Sequence, residues 1–286
     1  MGITANVDWR TDLGGGVRVA LVQAGVFKSD AGTVFGPVPR MMWERLVADE
    51  IDPESRLTQA LNCLLVETPA GRVLVETGIG ERMDDHHRDQ RAYTGDPILP
   101  ALRNAGFDPG SVDLIALSHL HFDHAGGLLT AEGIKAFPRA RVVAQAEEWT
   151  FALGGNPRLE ASYDQAELRL VEPWCRPTSA EGDVEVLPGV SVVRTSGHSG
   201  GHQAIVVRGP GGTVGFIGDL FMRPWGANPR WISAFDDYPL ISVEVKAQLF
   251  AQAADEGWTI VLSHEPRRPV GRLVRDRDRF RFQSLV

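Results

Sequence analysis

The residues best suited to chemistry lie in one short stretch, Ser118–Gly127 (SHLHFDHAGG), where four metal-binding side chains fall within six positions. Three of them are the imidazoles of His119, His121 and His124, and the fourth is the carboxylate of Asp123. Neutral imidazole and carboxylate are natural ligands of Zn²⁺ and similar divalent ions. In an irregular loop, the first two histidines can face one ion while Asp123 and His124 face a second. The simpler alternative is a polar loop whose histidines only form hydrogen bonds, but four such side chains at this spacing favour a metal site.

An apolar segment precedes this stretch and each of three further candidate ligands. Strands in these segments would hold the ligands in place at their ends. Residues 112–117, just before the histidines, have the length and composition of a buried strand. The other candidates are His198, Asp219 and His264, which come after the strand-like segments 190–194, 213–217 and 258–263. Strands alternating with short helical segments indicate an α/β fold. We treat residues 1–286 as one domain.

Composition restricts the class of protein. The chain has 286 residues, 43% hydrophobic and 23% charged, which is typical of a globular protein. Its net charge of −8 argues against nucleic acid or an anionic membrane surface as the main partner. Cys63 and Cys175 are the only cysteines, so we expect no disulfide framework. The sequence lacks an 18-residue apolar run and a secretory leader, and a cytoplasmic protein is therefore the expectation.

The order His-x-His-x-Asp-His, lone His, Asp and final His, each at a predicted strand end, resembles the metallo-β-lactamase superfamily. The resemblance covers essentially the whole chain. It implies an αββα sandwich with the active site at one edge, between the two sheets.

The resemblance also implies how the ligands divide. His119, His121 and His198 would bind one metal, Asp123, His124 and His264 the other, and Asp219 would bridge them. An aspartate rather than a cysteine at the bridging position is similar to the two-metal hydrolases of the superfamily. Zn²⁺ is the default ion, and Mn²⁺, Fe²⁺ or Co²⁺ fit the same ligands. Asp123 is also the candidate catalytic residue, because it could move a proton to the leaving group.

Within the superfamily, several segments resemble quorum-quenching N-acyl-homoserine lactonases. They are residues 35–39 with Trp43, residues 118–124, residues 197–199 with His202, residues 228–231 and residues 235–239. Organophosphate hydrolases of the methyl-parathion type and aryl-ester hydrolases are the alternatives. One position differs: Met222 stands where well-known lactonases of another branch have a Tyr that contacts the lactone carbonyl. The oxyanion partner would then be a metal, Tyr238 or a backbone N–H.

Two apolar segments rich in Gly and Pro could line a substrate pocket or simply belong to the core. We predict the pocket, which favours a lactone or ester with an apolar tail. The predicted substrate-binding residues are Phe35, Trp43, Phe221, Met222, Trp225 and Tyr238. A homodimer is left open.

Other polar residues near the motifs have simpler expected roles. His202 would either orient a ligand or be purely structural. Asp236 and Asp237 could cap the helix that follows them. His86 and His87 fit an exposed loop.

Overall fold

The computed structural model describes residues 8–178, 183–277 and 279–286. In this part of the chain, fourteen strands form two seven-stranded sheets, one from each half of the sequence. The first sheet contains β1 (Arg10–Asp12), β2 (Arg18–Asp30), β3 (Arg56–Thr68), β4 (Gly71–Val75), β5 (Leu114–Ala116), β6 (Arg141–Gln145) and β7 (Cys175–Thr178), in that order. The second contains β8 (Asp183–Leu187), β9 (Val190–Arg194), β10 (Gln203–Gly209), β11 (Gly212–Phe216), β12 (Thr259–Val261), β13 (Val270–Asp276) and β14 (Arg279–Ser284), also in order.

The two sheets pack face to face because their strands carry apolar side chains on both faces. Successive residues of a strand point to opposite sides. In β3, Leu64 and Val66 point into the core between the sheets, where Ile205 and Phe216 of the second sheet meet them. Cys63 and Leu65 point outward, into the core beneath the helices. Both faces of the first sheet are therefore buried, as its nearly continuous apolar strands predict.

Helices cover both outer faces. The described helices are α1 (Ala31–Phe35), α2 (Arg40–Trp43), α3 (Asp85–Gln90), α4 (Ile98–Asn104), α5 (Phe122–Ala125), α6 (Ala146–Ala152), α7 (Gln165–Val171) and α8 (Pro239–Asp255). Leu102 of α4, Trp149 of α6 and Leu168 of α7 pack on the first sheet. Phe250 of α8 packs on the second. The layers run helix, sheet, sheet, helix, which confirms the predicted αββα sandwich.

Parallel pairing gathers several loops at one edge of the sandwich. β5 lies between β4 and β6 and is parallel to both. In the other sheet, β11 and β12 are parallel. The segments that follow β5, β11 and β12 therefore leave their sheets at carboxyl ends, which is where open α/β sheets place their sites.

The four strand-like segments named from the sequence are observed as β5, β9, β11 and β12, and one difference lies near the C-terminus. β13 and β14, which follow His264, were not predicted. Within the described ranges, no helix combines the length and the hydropathy needed to cross a bilayer.

Candidate metal centre

The histidine-rich stretch follows β5 and turns at once into the short helix α5. His121 is the residue before that helix and is extended, with φ −61° and ψ 154°. The exit from the turn is tight: a Cβ on Gly126 would lie 2.2 Å from the Ile79 carbonyl oxygen, and one on Gly127 would lie 2.3 Å from that of Thr77. Glycine at both positions lets the loop lie directly against the segment after β4.

The other three candidate ligands come from the second sheet. His198 lies in the connection between β9 and β10, Asp219 directly after β11, and His264 after β12. Each is buried, as are the four candidates from the first sheet. The structure therefore brings together all seven side chains that the sequence predicted as ligands, from positions 119 to 264 of the chain.

These side chains form two groups. His119, His121 and His198 make one, and Asp123, His124, Asp219 and His264 make the other, with the donor atoms of each group within 4.8 Å of one another. In the first group, His121 Nδ1 lies 3.3 Å from His198 Nε2. Ligand atoms of a tetrahedral zinc ion lie about 3.4 Å apart when each is about 2.0–2.1 Å from the metal. The spacing therefore fits an ion in each group.

Asp219 stands where the groups meet. Its Oδ1 lies 3.1 Å from His264 Nε2 and 3.3 Å from His124 Nε2. Its Oδ2 lies 3.6 Å from His198 Nε2, in the first group. One carboxylate thus faces ligands of both groups, which is the arrangement a bridging ligand needs.

Unsatisfied donor atoms give a test of whether these residues fit metal ions. In the described part of the chain, the buried nitrogens His119 Nε2 and His124 Nε2 have no hydrogen-bond partner. A buried polar atom left without a partner costs about 1–3 kcal/mol. Coordination would remove that cost, so the donor set fits divalent metal.

Three of the candidate ligands, His119, His121 and Asp219, have protonation states that suit coordination. Burial, together with the neighbouring imidazoles, holds the pKa of His119 and of His121 well below the usual value, so both rings are neutral. Burial acts to raise the pKa of Asp219, but His264 and His124 outweigh it and hold that pKa well below its usual range. Asp219 is therefore an ionised carboxylate.

Comparison with known proteins decides the family. A profile of the metallo-beta-lactamase superfamily matches residues 59–264, which include all seven side chains. The chain belongs to this superfamily. An N-acyl homoserine lactonase from Bacillus cereus is 32% identical over 186 residues, which cover 60% of this chain and 68% of the relative.

Solved structures of the superfamily share the fold. A probable metal-dependent hydrolase from Staphylococcus aureus has a TM-score of 0.86 at 22% identity, covering 96% of this chain and all of the other. AidC, a dizinc quorum-quenching lactonase in complex with a ring-opened product, has a TM-score of 0.82 at 20% identity, with 98% and 97% covered. This metallo-beta-lactamase superfamily member is accordingly a metal-dependent hydrolase.

Hydrogen bonds to the opposite ring nitrogens hold the candidate ligands in orientation. Asp236 Oδ1 lies 3.0 Å from His198 Nδ1, and the Ala60 carbonyl oxygen lies 2.8 Å from His264 Nδ1. Glu76 Oε2 approaches His124 Nδ1 at 3.4 Å, as an ion-pair contact without a hydrogen bond. Such partners fix the ring and raise its basicity as a ligand.

Around the ligands, the structure corrects one expectation and adds contacts of His202 and Glu76. Asp236 and Asp237 were expected to cap a helix, but α8 begins after Tyr238 without any side-chain cap. Asp236 contacts His198 instead, and Asp237 pairs with Arg158. His202 has an orienting contact: its Nε2 accepts a hydrogen bond of 3.3 Å from the Asp219 backbone N–H. Glu76 was missed because its contact with His124 spans many residues and carries no local motif.

Glu148 was also missed, although it joins the loops from both sheets. It is fully buried. Its Oε1 accepts hydrogen bonds from Leu120 N at 3.0 Å and from Tyr163 Oη at 2.9 Å. Its Oε2 accepts bonds from Ser199 Oγ at 2.6 Å and Gly201 N at 3.0 Å. Leu120 lies between His119 and His121, and Ser199 follows His198, so one carboxylate fixes both segments of the first group.

A cleft of about 460 Å³ reaches five of the seven candidate ligands. These are His121, Asp123, His198, Asp219 and His264. The walls combine the aromatic residues Phe27, Phe122 and Phe235 with the charged residues Lys28, Asp30, Glu54, Arg56 and Arg91. The cleft is thus more polar than the two apolar segments suggested.

Of the predicted substrate-binding residues, only Met222 lines this cleft. Phe35 and Trp43 stack on each other at 4.6 Å in a separate buried cluster, and Trp225 contacts Phe35 there at 4.3 Å. Phe221 packs against Phe250 of α8 in the outer core. Tyr238 is 41% exposed and lies beside Phe151. These five residues therefore lie in the core or at the surface and do not line the cleft, as the predicted pocket required.

Proposed function

We propose that this hydrolase opens the ring of N-acyl homoserine lactones at a dinuclear metal centre, and so acts in quorum quenching. The observation that carries the proposal is the meeting of two ligand groups at Asp219, on the floor of a cleft. The curated relatives named N-acyl homoserine lactonases support the choice of substrate. Zn²⁺ suits the mixed imidazole and carboxylate ligands, and Mn²⁺, Fe²⁺ or Co²⁺ would also fit.

The chain would hold one ion with His119, His121 and His198 and the other with Asp123, His124 and His264, with Asp219 shared. When bound, such ions lower the pKa of a water molecule and polarise a carbonyl oxygen. Asp123 and Asp219 offset only half of the four positive charges of two divalent ions. The remaining positive charge would attract the lactone carbonyl.

Asp123 is the residue we assign to proton transfer. It lies at the edge of the second group, with Oδ2 3.5 Å from His264 Nε2, and it also lines the cleft. Ring opening leaves an alkoxide that must take up a proton. A carboxylate that touches both the ligand group and the substrate space is within reach to deliver it.

Aromatic walls support an acyl tail. Phe27, Phe122 and Phe235 line the cleft together with Met222, which the sequence predicted, and in place of the other five predicted residues. Each CH₂ of a tail buried against them contributes up to about 0.8 kcal/mol, or roughly fourfold in kcat/KM. We expect lactones with longer acyl chains to be cleaved faster at low concentration.

The test is kcat/KM of the metal-loaded enzyme for a chain-length series of acyl homoserine lactones, beside an aryl ester and a phosphotriester. The proposal expects the lactones to be preferred, with values that rise with chain length. Asp219→Ala should abolish turnover, and Asp255→Ala, an exposed aspartate of α8 paired with Arg275, should leave it unchanged. A clear preference for the phosphotriester would overturn the lactonase assignment.

A further inference from the structure

Arg91 is a cleft residue whose position is fixed but whose charge is not matched by the protein. It follows α3, where its N–H donates to the His87 carbonyl oxygen at 3.0 Å. Its own carbonyl oxygen accepts from the Lys28 N–H of β2 at 2.7 Å. The guanidinium carbon lies 4.4 Å from the centre of the Phe122 ring, beside the ligand loop. Backbone and stacking contacts therefore hold the guanidinium at the cleft wall.

The other basic residues of the cleft are neutralised. Lys28 and Arg56 both pair with Asp52, at 2.6 Å and 3.0 Å. For Arg91, in contrast, no carboxylate of the described residues lies within the 4.0 Å expected of an ion pair. Its Nε is buried and, among the residues described, has no hydrogen-bond partner.

This arrangement is unfavourable for the folded protein by itself. Burial lowers the pKa of Arg91, although Asp123 and Asp84 partly oppose that shift. A guanidinium carries five N–H donors in a fixed fork that matches carbonyl and carboxylate oxygens. A donor that is desolvated, stacked and left without a protein acceptor is ready for an acceptor on a ligand in the cleft.

We infer that Arg91 is a specificity-determining residue that donates a hydrogen bond to an oxygen of the substrate arm. The enzyme then selects substrates whose arm carries a carbonyl or carboxylate oxygen over those with a plain alkyl arm. The choice of lactones as test substrates rests on the proposed function, whereas the recognition of the arm does not. A hydrogen bond from a charged donor changes selectivity by about ten- to hundredfold.

The experiment compares three lactones with arms of equal length: a plain acyl arm, a 3-oxo-acyl arm and an arm that ends in a carboxylate. We expect the wild type to prefer at least one of the oxygen-bearing arms, and Arg91→Met to lose that preference by about tenfold or more. Methionine keeps the apolar stem on Phe122 and removes the donors. The 3-oxo and carboxylate substrates distinguish a neutral from an anionic acceptor.

Arg88→Met is the matched control. Arg88 lies in α3, which Arg91 follows, and it also stacks on a ring, 5.0 Å from the centre of Tyr93, but it does not line the cleft. Its loss should leave the selectivity unchanged. The melting temperature of Arg91→Met should be equal to or above that of the wild type, because a partly buried charge with no carboxylate partner among the described residues is removed. Equal selectivity in the wild type and Arg91→Met, or a fall in melting temperature with an equal loss on all three substrates, would overturn the inference.

A binding measurement separates this inference from the proposed function. In ¹⁵N-labelled metal-loaded protein, the arginine Nε–H signal that is missing from Arg91→Met belongs to Arg91. The ring-opened products of the three lactones should move this signal more when the arm carries the extra oxygen. If no lactone is hydrolysed, the proposed function fails while this titration still tests Arg91. Equal shifts with all three products would contradict the role assigned here.

Discussion

A single carboxylate at the junction of the two ligand groups is the residue on which the centre most depends. Asp219 lies within 3.6 Å of imidazole nitrogens from both groups. We predict that Asp219→Ala loses bound metal and at least about 10² in turnover, because no remaining side chain can bridge. The sheets should still form, since their core lies in the strands. Elemental analysis, circular dichroism and kcat are the measurements; full activity with two bound metals would show that Asp219 does not bridge.

Glu148 offers a second residue-scale prediction, for a side chain that touches no metal. Four donors point at its two oxygens. Glu148→Gln replaces one acceptor oxygen by an NH₂ group that faces donors, which should lower the free energy of unfolding by about 2–4 kcal/mol. Displacement of the two loops should weaken metal affinity by about 10–100-fold.

Glu147→Gln is the control for this prediction. Glu147 is adjacent in sequence but exposed, and it pairs with Arg194. Competition with a chelator measures affinity, and urea titration measures stability. Equal metal affinity and equal stability of the two variants would show that Glu148 does not support the metal centre.

At this scale, the sequence reveals ligands better than the residues that support them. The four ligand-type residues from His119 to His124 are readable because they fall within six positions, and His198, Asp219 and His264 because each follows a strand. Glu76, Glu148 and Asp236 meet their partners only after the chain has folded. No spacing rule connects Asp236 with His198 or Glu148 with Ser199, so single-sequence reasoning had no signal for them.

Among the elements, α8 contains a buried lysine that gives a pH prediction. Lys246 is 3% exposed, and its Nζ donates to the Trp231 carbonyl oxygen at 2.5 Å. Burial lowers the pKa of Lys246 from 10.5 to about 8 in the folded protein, although Asp236 opposes the shift. Between these two values the unfolded chain binds more protons, so the folded protein gains stability as the pH rises. The free energy of unfolding should rise by about 3 kcal/mol in total as the pH approaches 10.5.

Lys246→Met removes this titrating group. Urea titrations at intervals from pH 7.5 to 10.5 should show a rise in the wild type that is smaller in the variant. The difference between the two proteins isolates Lys246 from other groups that titrate in this range. Parallel curves would mean that the ammonium group is not desolvated in α8.

The apolar segments show where element-scale prediction is limited. Large apolar residues such as Phe35 and Trp43 stand out in Gly/Pro-rich segments. Composition could not tell whether these side chains point into the core or into a substrate cleft. They pack on one another, beside the cleft rather than into it. β13 and β14 escaped prediction for a related reason: charged residues alternate through them with a few apolar residues, among them Leu273, Phe280 and Phe282, that mark the packed face.

At the scale of the whole molecule, the centre joins the two sheets. His119, His121, Asp123 and His124 come from the first, and His198, Asp219 and His264 from the second. Because this site exists only when both sheets are folded, metal binding adds directly to folding free energy.

We therefore predict about two metal equivalents per chain. When a chelator removes metal that was present at a thousandfold over its Kd, the free energy of unfolding should fall by about 4 kcal/mol per site. Thermal unfolding before and after chelation, followed by return of Zn²⁺, measures the effect. A metal content near one in a fully active enzyme would contradict the dinuclear assignment. An unchanged melting temperature after chelation would show that metal binding between the sheets does not stabilise the fold.

The location of the cleft has a consequence for how the enzyme acquires and retains its ions. The cleft reaches five of the seven candidate ligands, and the remaining two, His119 and His124, are buried and do not line it. The cleft therefore offers ions and substrates a common route to these five ligands. A product that stays in the cleft would obstruct a chelator there, so turnover itself would slow metal loss. An enzyme at work would then hold its metal longer than the same enzyme at rest.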